Sequence, residues 1–224
     1  MGKRILLLLF LLSAGLILPV QKTIDLKKKQ IGKVDERAFF LPGYLIKIGS
    51  LEFKDVVADL FWLQAVQLVG EKRFSKQDHG RLYRLIDRVT DLSPRFSYAY
   101  ELGGVLFSLG TERIDLSNAI LLKGTQYDPD KWQPWFYLGF NYFYYLNDPL
   151  KGAYYLAEAT KKRRSPPPYL PLLTARLYSK ANRSKTAILF LKTIYLSTKD
   201  TGMRKQIAEK IIEMEKEIAT QKSQ

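Results

Sequence analysis

Large apolar residues recur along this chain at a constant interval, and small residues recur at nearly the same interval. The large ones, each 35 residues after the one before, are Ile86, Leu121, Leu156 and Leu191. The small ones, each 36 residues apart, are Gly103, Gly139 and Ala175. A period of about 20–50 residues is typical of repeat architectures, in which each unit buries its apolar face against its neighbours. The spacing therefore favours a repeat of four units over an unrelated helical bundle.

The clearest unit, residues 130–158, has the pattern of a helix, a turn and a second helix. One face of the first helix, at positions i, i+3, i+4 and i+7, is formed by Trp135, Leu138, Gly139 and Tyr142. After the break at residues 147–149, the second helical face is formed by Gly152, Leu156 and Ala159. Glycine inside a helix costs about 1 kcal/mol relative to alanine. Gly139 therefore predicts that another helix approaches closely at this point.

The spacing W-x2-L-G-x2-Y in this unit resembles the tetratricopeptide (TPR) repeat, a pair of helices about 34 residues long. Parts of the same pattern occur upstream at 102–129 and downstream at 175–194, and the second half of a first copy ends near Pro94. The resemblance implies an all-α, TPR-like helical-hairpin solenoid of about four helix pairs. Because the copies run slightly longer than the family length, we expect the extra residues to lie in the turns.

The periodicity also predicts the individual helices. These are 53–70 and 82–92, followed by the pairs 96–109 with 115–127, 132–145 with 150–163, and 168–181 with 184–197. Asp200 and Thr201 predict the start of a last helix, whose outer face of Lys and Glu is typical of the capping helix of a solenoid. The predicted organisation is a repeat domain at 51–200 and a capping helix at 201–224, preceded by two further segments, 1–21 and 22–50.

Residues 5–20, ILLLLFLLSAGLILPV, carry no charge and follow Lys3 and Arg4. Three interpretations compete: a buried core helix, a signal peptide cleaved after the small residues 13–15, and an uncleaved signal-anchor. We favour the signal-anchor, a single transmembrane helix within 1–21, because apolar residues continue as far as Val20. The run rises about 24 Å, which is short of a hydrocarbon core of ~30 Å. Flanking lysines can snorkel to make up the difference.

Two rules disagree on the orientation of this helix. Five lysines follow it within residues 22–33, and the positive-inside rule alone would keep the domain in the cytoplasm. A short basic N-terminus directly before an apolar run instead resembles an export signal. We adopt the second interpretation, which places Lys27, Lys28 and Lys29 near the headgroups of the outer leaflet. The connector, 22–50, contains an apolar stretch at 39–45 that we expect to pack over the first helix of the repeat domain.

The formal charge is +14, from 36 Lys and Arg against 22 Asp and Glu. Such an excess attracts lipid headgroups, acidic proteins or nucleic acid, although a Lys-rich solvated surface also produces it. Cysteine is absent. Its absence excludes disulfides, thiolate metal sites, a catalytic cysteine and a lipid-modified N-terminal cysteine.

No arrangement of residues indicates catalysis. His79, the only histidine, lies in a polar stretch and is expected at the surface, and a histidine cluster for zinc is missing. Asp128 and Asp130 flank Pro129 and are interpreted as turn and capping residues. The Gly103-Gly104 doublet lies within a predicted helix and lacks the other parts of a phosphate-binding loop. We therefore expect no enzymatic activity, no cofactor, no metal site and no small-molecule substrate.

Three longer stretches, 56–67, 91–104 and 135–146, resemble those of membrane-anchored bacterial TPR proteins. That group has an N-terminal apolar segment followed by one helical-repeat domain. The resemblance implies localisation in the cell envelope and a protein-binding or assembly role, and it carries no enzymatic activity over to this chain. Together with the export-signal interpretation, it leads us to expect a single-pass protein of the bacterial inner membrane with its repeat domain in the periplasm.

In the TPR family the first helix of each pair lines a concave groove, so the resemblance implies groove positions in this chain. The predicted partner-binding residues are Tyr100, Phe107, Gln133, Phe136, Phe140, Phe143, Tyr144, Tyr169, Arg176 and Lys180. The helix at 132–145 is aromatic on both faces, and a helix that is apolar all round is usually buried. Either the C-terminal helix or the connector fills the groove, or an apolar segment of a partner docks there.

Two functional hypotheses follow. The first is a membrane-tethered, non-enzymatic scaffold that binds another envelope protein or peptide through the aromatic groove, where Arg176 and Lys180 would favour an acidic group. The alternative is a basic surface that binds anionic lipid or nucleic acid. Nucleic acid is not expected as a partner, because the sequence contains no recognition-helix or RNA-binding motif.

Overall fold

Helix accounts for all the regular secondary structure in the part of the chain that the computed structural model describes, residues 53–70, 75–163 and 166–222. The predicted all-α class is therefore confirmed for these residues. The predicted transmembrane helix at 1–21 and the connector at 22–50, with Lys27, Lys28 and Lys29, lie outside them. Among the helices of the described ranges, none has both the length and the apolar character that crossing a membrane requires.

The helices follow the predicted order closely. They are α1 Lys54–Gly70, α2 His79–Leu92, α3 Ser97–Val105, α4 Ile114–Tyr127, α5 Trp132–Phe140, α6 Pro149–Thr160, α7 Leu170–Lys180, α8 Ser184–Ser197 and α9 Thr201–Lys222. Two π turns, Leu106–Gly110 and Asn141–Tyr145, extend α3 and α5. Asp148 and Asp200 cap the helices that follow them, because their carboxylates accept hydrogen bonds from the N–H groups of Lys151 and Met203, both at 2.9 Å.

Each helix packs against the next one along the chain, from α1 on α2 to α8 on α9. In addition, α3 packs on α5, which brings the first helices of two successive hairpins together. One apolar cluster lies between α6 and α7 and is flanked by aromatic rings of α5. A second cluster joins α7, α8 and α9 around Leu191 and Ile207. The described helices therefore form a solenoid-like series with a core shared between neighbours.

Helices α5 and α6 come closest at a pair of glycines. A Cβ atom at Gly139 would lie 3.0 Å from the carbonyl oxygen of Gly152, and a Cβ at Gly152 would lie 3.1 Å from the carbonyl oxygen of Gly139. Any side chain at either position would push the two backbones apart. The close helix approach that Gly139 predicts is confirmed.

The two π turns occupy equivalent places, since Leu106 and Asn141 are 35 residues apart. A π turn closes its hydrogen bond at i→i+5 and so contains one residue more than an α turn. In these two hairpins the additional residue lies inside the first helix. The expectation that extra residues lie in the turns is therefore wrong for them.

A left-handed residue separates the two helices in each of three hairpins. Glu112, Asn147 and Asn182 have φ of 56°, 49° and 58°, and they too are 35 residues apart. Each precedes a residue whose N–H donates back to the first helix, as Asp148 does to the Tyr142 carbonyl at 2.8 Å. Asparagine adopts this conformation far more readily than other residues with a side chain, whereas glutamate is strained there by about 1 kcal/mol.

Replacing Glu112 by asparagine should therefore raise the free energy of unfolding by about 0.5–1 kcal/mol, because the strain is relieved while the turn is kept. The reciprocal substitution, Asn147→Glu, should lower it by a similar amount. Urea denaturation of the full chain in detergent, followed by circular dichroism, measures both. A loss of stability in Glu112→Asn would contradict the left-handed assignment.

Candidate interaction surface

Helix α5 and its π turn carry aromatic rings on all sides. The residues of this segment that are fully enclosed are Pro134, Leu138, Gly139 and Asn141. Its aromatic side chains are all at least partly exposed, and Tyr144 is 65% exposed. The segment therefore presents aromatic surface on the outside of the fold, although its composition is that of a buried helix.

Three rings at the end of this segment form an aromatic cluster, which consists of the exposed Tyr144 and the half-buried Phe140 and Tyr145. Phe140 and Tyr144 are stacked, with ring centroids 5.2 Å apart and an interplanar angle of 12°. Tyr145 meets both rings edge-on, at 5.9 Å from Phe140 and 5.0 Å from Tyr144. The π turn accounts for the position of the Tyr145 ring, because its i→i+5 geometry brings residue 145 alongside residue 140.

A polar link holds the π turn in place. The buried Asn141 side chain donates to Ser117 Oγ at 2.8 Å and to Asn118 Oδ1 at 2.9 Å, both on α4. Ser117 in turn donates to the Gly104 carbonyl of α3 at 2.7 Å. Buried polar groups that are hydrogen-bonded in this way fix the register of the helices that carry them. These hydrogen bonds therefore join the π turn that carries Tyr144 and Tyr145 to α4 and α3.

Charged contacts between hairpins add to these hydrogen bonds. Lys123 of α4 reaches Asp87 and Asp91 of α2 at 2.8 and 2.6 Å. Burial lowers the pKa of Lys123, but its hydrogen bonds to the two carboxylates outweigh burial and raise the pKa overall. Lys131, just before α5, reaches Glu101 of α3 at 3.1 Å. These partly buried ion pairs hold successive hairpins in one alignment.

Two other predicted groove residues, Phe136 and Phe143, contribute to the core. Both pack against the buried cluster between α6 and α7, which contains Leu156 and Leu170. The ammonium group of Lys180 lies 5.0 Å from the centroid of the Phe143 ring, within the range of a cation–π interaction. Phe143 and Lys180 are thus brought together.

Tyr100 and Phe107 do not offer surface to a partner, because both are 0% exposed. The Tyr100 hydroxyl donates to the Pro94 carbonyl at 3.1 Å, and burial raises the pKa of Tyr100 well above its usual range. Helix α4 encloses the ring, since a Cβ atom at Gly124 would lie 2.9 Å from Tyr100 Cβ. The assignment of these two residues to the groove is corrected accordingly: they are core residues of the hairpin α3–α4.

The remaining predicted residues differ in burial. Tyr169, just before α7, is 56% exposed. Tyr169 also acts on Tyr137 of α5: burial raises the pKa of Tyr137, and the charges of Glu101 and Tyr169 add to this increase. Arg176 and Lys180 are exposed on α7. Gln133 is half-buried, and its Oε1 atom has no hydrogen-bond partner within the described ranges.

A second aromatic group was not anticipated from the sequence. Tyr142 stacks on Tyr155 of α6, with centroids 5.2 Å apart and planes inclined by 10°. The ammonium group of Lys162 lies 4.2 Å from the ring centroid of Trp135, whose ring is 6.3 Å from Tyr155. One sequence feature could have indicated this group. It is the adjacent pair Tyr154 and Tyr155 in α6, which lies opposite the face of α5 that contains Trp135 and Tyr142. The ammonium group of Lys151 lies 5.3 Å from the ring centroid of Tyr142. This aromatic group ties α5 to α6, and Lys151 and Lys162 already cover two of its ring faces.

His79 is a further correction. It begins α2 and is only 7% exposed, whereas its polar surroundings in the sequence predicted a surface position. The 3₁₀ turn Lys76–Asp78 directly before it turns the chain so that this side chain points inward. Asp128, which was interpreted as a turn residue, accepts a hydrogen bond from Ser97 Oγ at 2.5 Å.

No protein-family model matches the chain, and no curated protein sequence matches it.

Proposed function

We propose that this protein is a membrane-tethered, non-enzymatic scaffold with a TPR-like repeat domain that binds another protein or peptide of the bacterial cell envelope. Three features with one period support the TPR-like assignment. These are the apolar residues from Ile86 to Leu191, the π turns, and the left-handed residues from Glu112 to Asn182. A structural unit that recurs with such regularity is the basis of a solenoid.

One observation carries the binding assignment: Tyr144 is 65% exposed although it is stacked on Phe140. Ordered aromatic rings that remain exposed lose little conformational entropy when a partner covers them. Tyrosine and other aromatic residues are also enriched among the residues that dominate protein interfaces. The partner segment that suits such a surface is a helix or an extended peptide with apolar anchors.

Two cationic side chains on α7 favour a partner segment that carries an acidic residue. Lys180 lies over the Phe143 ring, and Arg176 is exposed one helical turn before it. A partner segment that also reaches α7 would meet these groups with an acidic side chain. The membrane segment at 1–21 supplies the mechanism, because a tether raises the effective concentration of the domain for partners in the same membrane.

The test is capture of partners by the full chain. Phe140→Ala combined with Tyr144→Ala should abolish crosslinking to the partner in native membranes, while circular dichroism stays unchanged. Tyr127→Ala combined with Tyr195→Ala removes two partly exposed tyrosines elsewhere and should leave crosslinking intact. Equal recovery of the partner with both double variants would refute the aromatic cluster as the binding site.

The charge of +14 favours the alternative, a basic surface for anionic lipid or nucleic acid. That function predicts binding that weakens steeply with salt, because each phosphate contact releases counterions. Flotation with anionic vesicles and an electrophoretic shift assay, both with the full chain over a range of salt concentrations, distinguish it. Salt-sensitive binding that persists in the Phe140 and Tyr144 double variant would favour the alternative.

A further inference from the structure

Helix α8 exposes two leucines on its outer side. Leu189 is 68% exposed and Leu196 is 77% exposed. They are seven residues apart, which is about two helical turns and places both on the same side of the helix. The buried residues of α8, Ala187, Ile188 and Leu191, pack in the cluster that it shares with α7 and α9. The two leucines therefore form an apolar stripe about 10 Å long on the outer face of α8.

A row of lysines lies beside the stripe. Each leucine follows a lysine by four residues, a spacing that makes the two side chains neighbours on a helix. These lysines, Lys185 and Lys192, are both exposed. Lys192 pairs with Glu215 of α9 at 2.8 Å, but an ion pair between exposed side chains holds its partners only weakly. The long stems of both lysines can therefore follow a surface that the stripe meets.

The flank of the stripe on the other side consists of hydroxyl side chains whose hydrogen bonds are made within the helix. Thr193 donates to the Leu189 carbonyl at 3.0 Å, and Ser197 donates to the Ile194 carbonyl at 3.1 Å. Because these hydroxyls already have acceptors, removing water from this flank costs little. The face continues into a shallow groove of about 590 Å³, which Lys161, directly after α6, also lines.

The part of the chain that contains α8 is strongly basic. Residues 180–205 contain seven Lys and Arg against one acidic residue, a net charge of +6 out of the +14 of the whole chain. The acidic residue, Asp200, caps α9. α8 itself contains two lysines and no acidic residue. A region with this charge attracts anionic partners.

Among anionic partners, the leucines favour a lipid bilayer. A helix that lies on an anionic membrane buries Leu or Phe at the boundary between headgroups and acyl chains, and its lysines stay among the headgroups. Single-stranded nucleic acid is bound instead by aromatic rings on which bases stack. The large exposed side chains of this stripe are aliphatic, so they match the acyl chains.

We propose that the outer face of α8 docks on the surface of an anionic phospholipid bilayer. Both leucines of the stripe lie at the boundary between headgroups and acyl chains, and Lys185 and Lys192 lie at the phosphates. The membrane segment predicted at 1–21 raises the effective concentration of α8 at that surface. The contact gives the anionic-lipid alternative a defined site, and it is compatible with partner capture by α5 and α7. The two sites use different residues, so either proposal can fail without the other.

Quenchers carried by the lipid test this contact. The natural chain contains no cysteine, so Leu189→Cys in the full chain provides a single site for the fluorophore NBD. The labelled protein is reconstituted into nanodiscs whose phospholipids carry a nitroxide near the headgroup end of one acyl chain. We expect strong quenching when the nanodiscs contain phosphatidylglycerol and little with phosphatidylcholine alone, and high salt should reverse the quenching. Leu109→Cys, at a leucine 60% exposed in the first π turn, is the matched control and should not be quenched.

A second substitution tests the stripe itself. In the Leu189→Cys background, Leu196→Glu places a negative charge beside the probe and should abolish the quenching, whereas Leu109→Glu should leave it unchanged. Both leucines are exposed, so folding is preserved. Equal quenching of the probes at positions 189 and 109 would overturn the proposal in favour of attachment by the basic surface as a whole. So would equal quenching in neutral and anionic nanodiscs, quenching that persists in Leu196→Glu, or protection of the probe at 189 only by nucleic acid or an acidic protein.

Discussion

Replacing Leu121 by alanine is expected to lower the free energy of unfolding by about 3 kcal/mol. Leu121 of α4 is fully buried and fills the space beside Gly104 of α3. A Cβ atom at Gly104 would lie 2.6 Å from Leu121 Cγ. The substitution removes these contacts and leaves a cavity. Urea denaturation of the full chain measures the loss, and Leu122→Ala on the same helix, at a side chain 38% exposed, should cost less than about 1 kcal/mol.

A double-mutant cycle shows whether Leu121 and Gly104 share this space. Gly104→Ala alone overpacks the contact, since the three atoms nearest to the new Cβ all belong to Leu121. Once Leu121 is alanine, the same change enters a vacancy. We expect a coupling energy of about 1–2 kcal/mol between the two substitutions. The double variant should therefore lose less stability than the two single variants lose together. Additive losses would show that the two residues do not fill one space.

The second large effect is expected at Gly152, where alanine should lower the free energy of unfolding by about 2 kcal/mol. The new Cβ would lie 2.9 Å from Phe143 Cβ, 3.1 Å from the Gly139 carbonyl oxygen and 3.2 Å from the Phe143 nitrogen. Two of these are backbone atoms, so the strain is relieved only by moving α6 away from α5. The loss outweighs the gain of about 1 kcal/mol that alanine brings to a helix.

Gly110 provides the control for this substitution. It ends the first π turn, and no side chain or neighbouring helix lies within 4 Å of a Cβ placed there. Gly110→Ala should therefore leave stability unchanged or raise it slightly. If Gly152→Ala were as harmless as Gly110→Ala in the same urea titration, α5 and α6 would not cross at their glycines.

Much of the architecture was predictable from the sequence because it depends on local periodicity. Leu156 and Gly139 belong to two series that recur with nearly the same period, and a large residue that recurs beside a small one indicates two helices in close contact. Asp148 and Asp200 were predictable helix starts for the same reason, since capping needs only a short polar side chain at the right position.

The π turns could not be predicted, because a nonlocal contact supports them. Asn141 is buried by its hydrogen bonds to Ser117 and Asn118 of another helix, and no local pattern reports such a link. Tyr145 was therefore missed as a member of the aromatic cluster. Tyr100 and Phe107 were misplaced for a different reason. Their groove positions were carried over from the TPR resemblance, which does not show which rings a neighbouring helix of this chain will cover.

The even spacing of Glu112, Asn147 and Asn182 makes the hairpins interchangeable in principle. A cut after Glu112 and another after Asn147 excise one whole module, and the two ends that are then joined have the same backbone conformation. Gene duplication or deletion at these points would lengthen or shorten the array without shifting any helix out of phase with its neighbours. The left-handed residues thus mark where such an array can grow by copying.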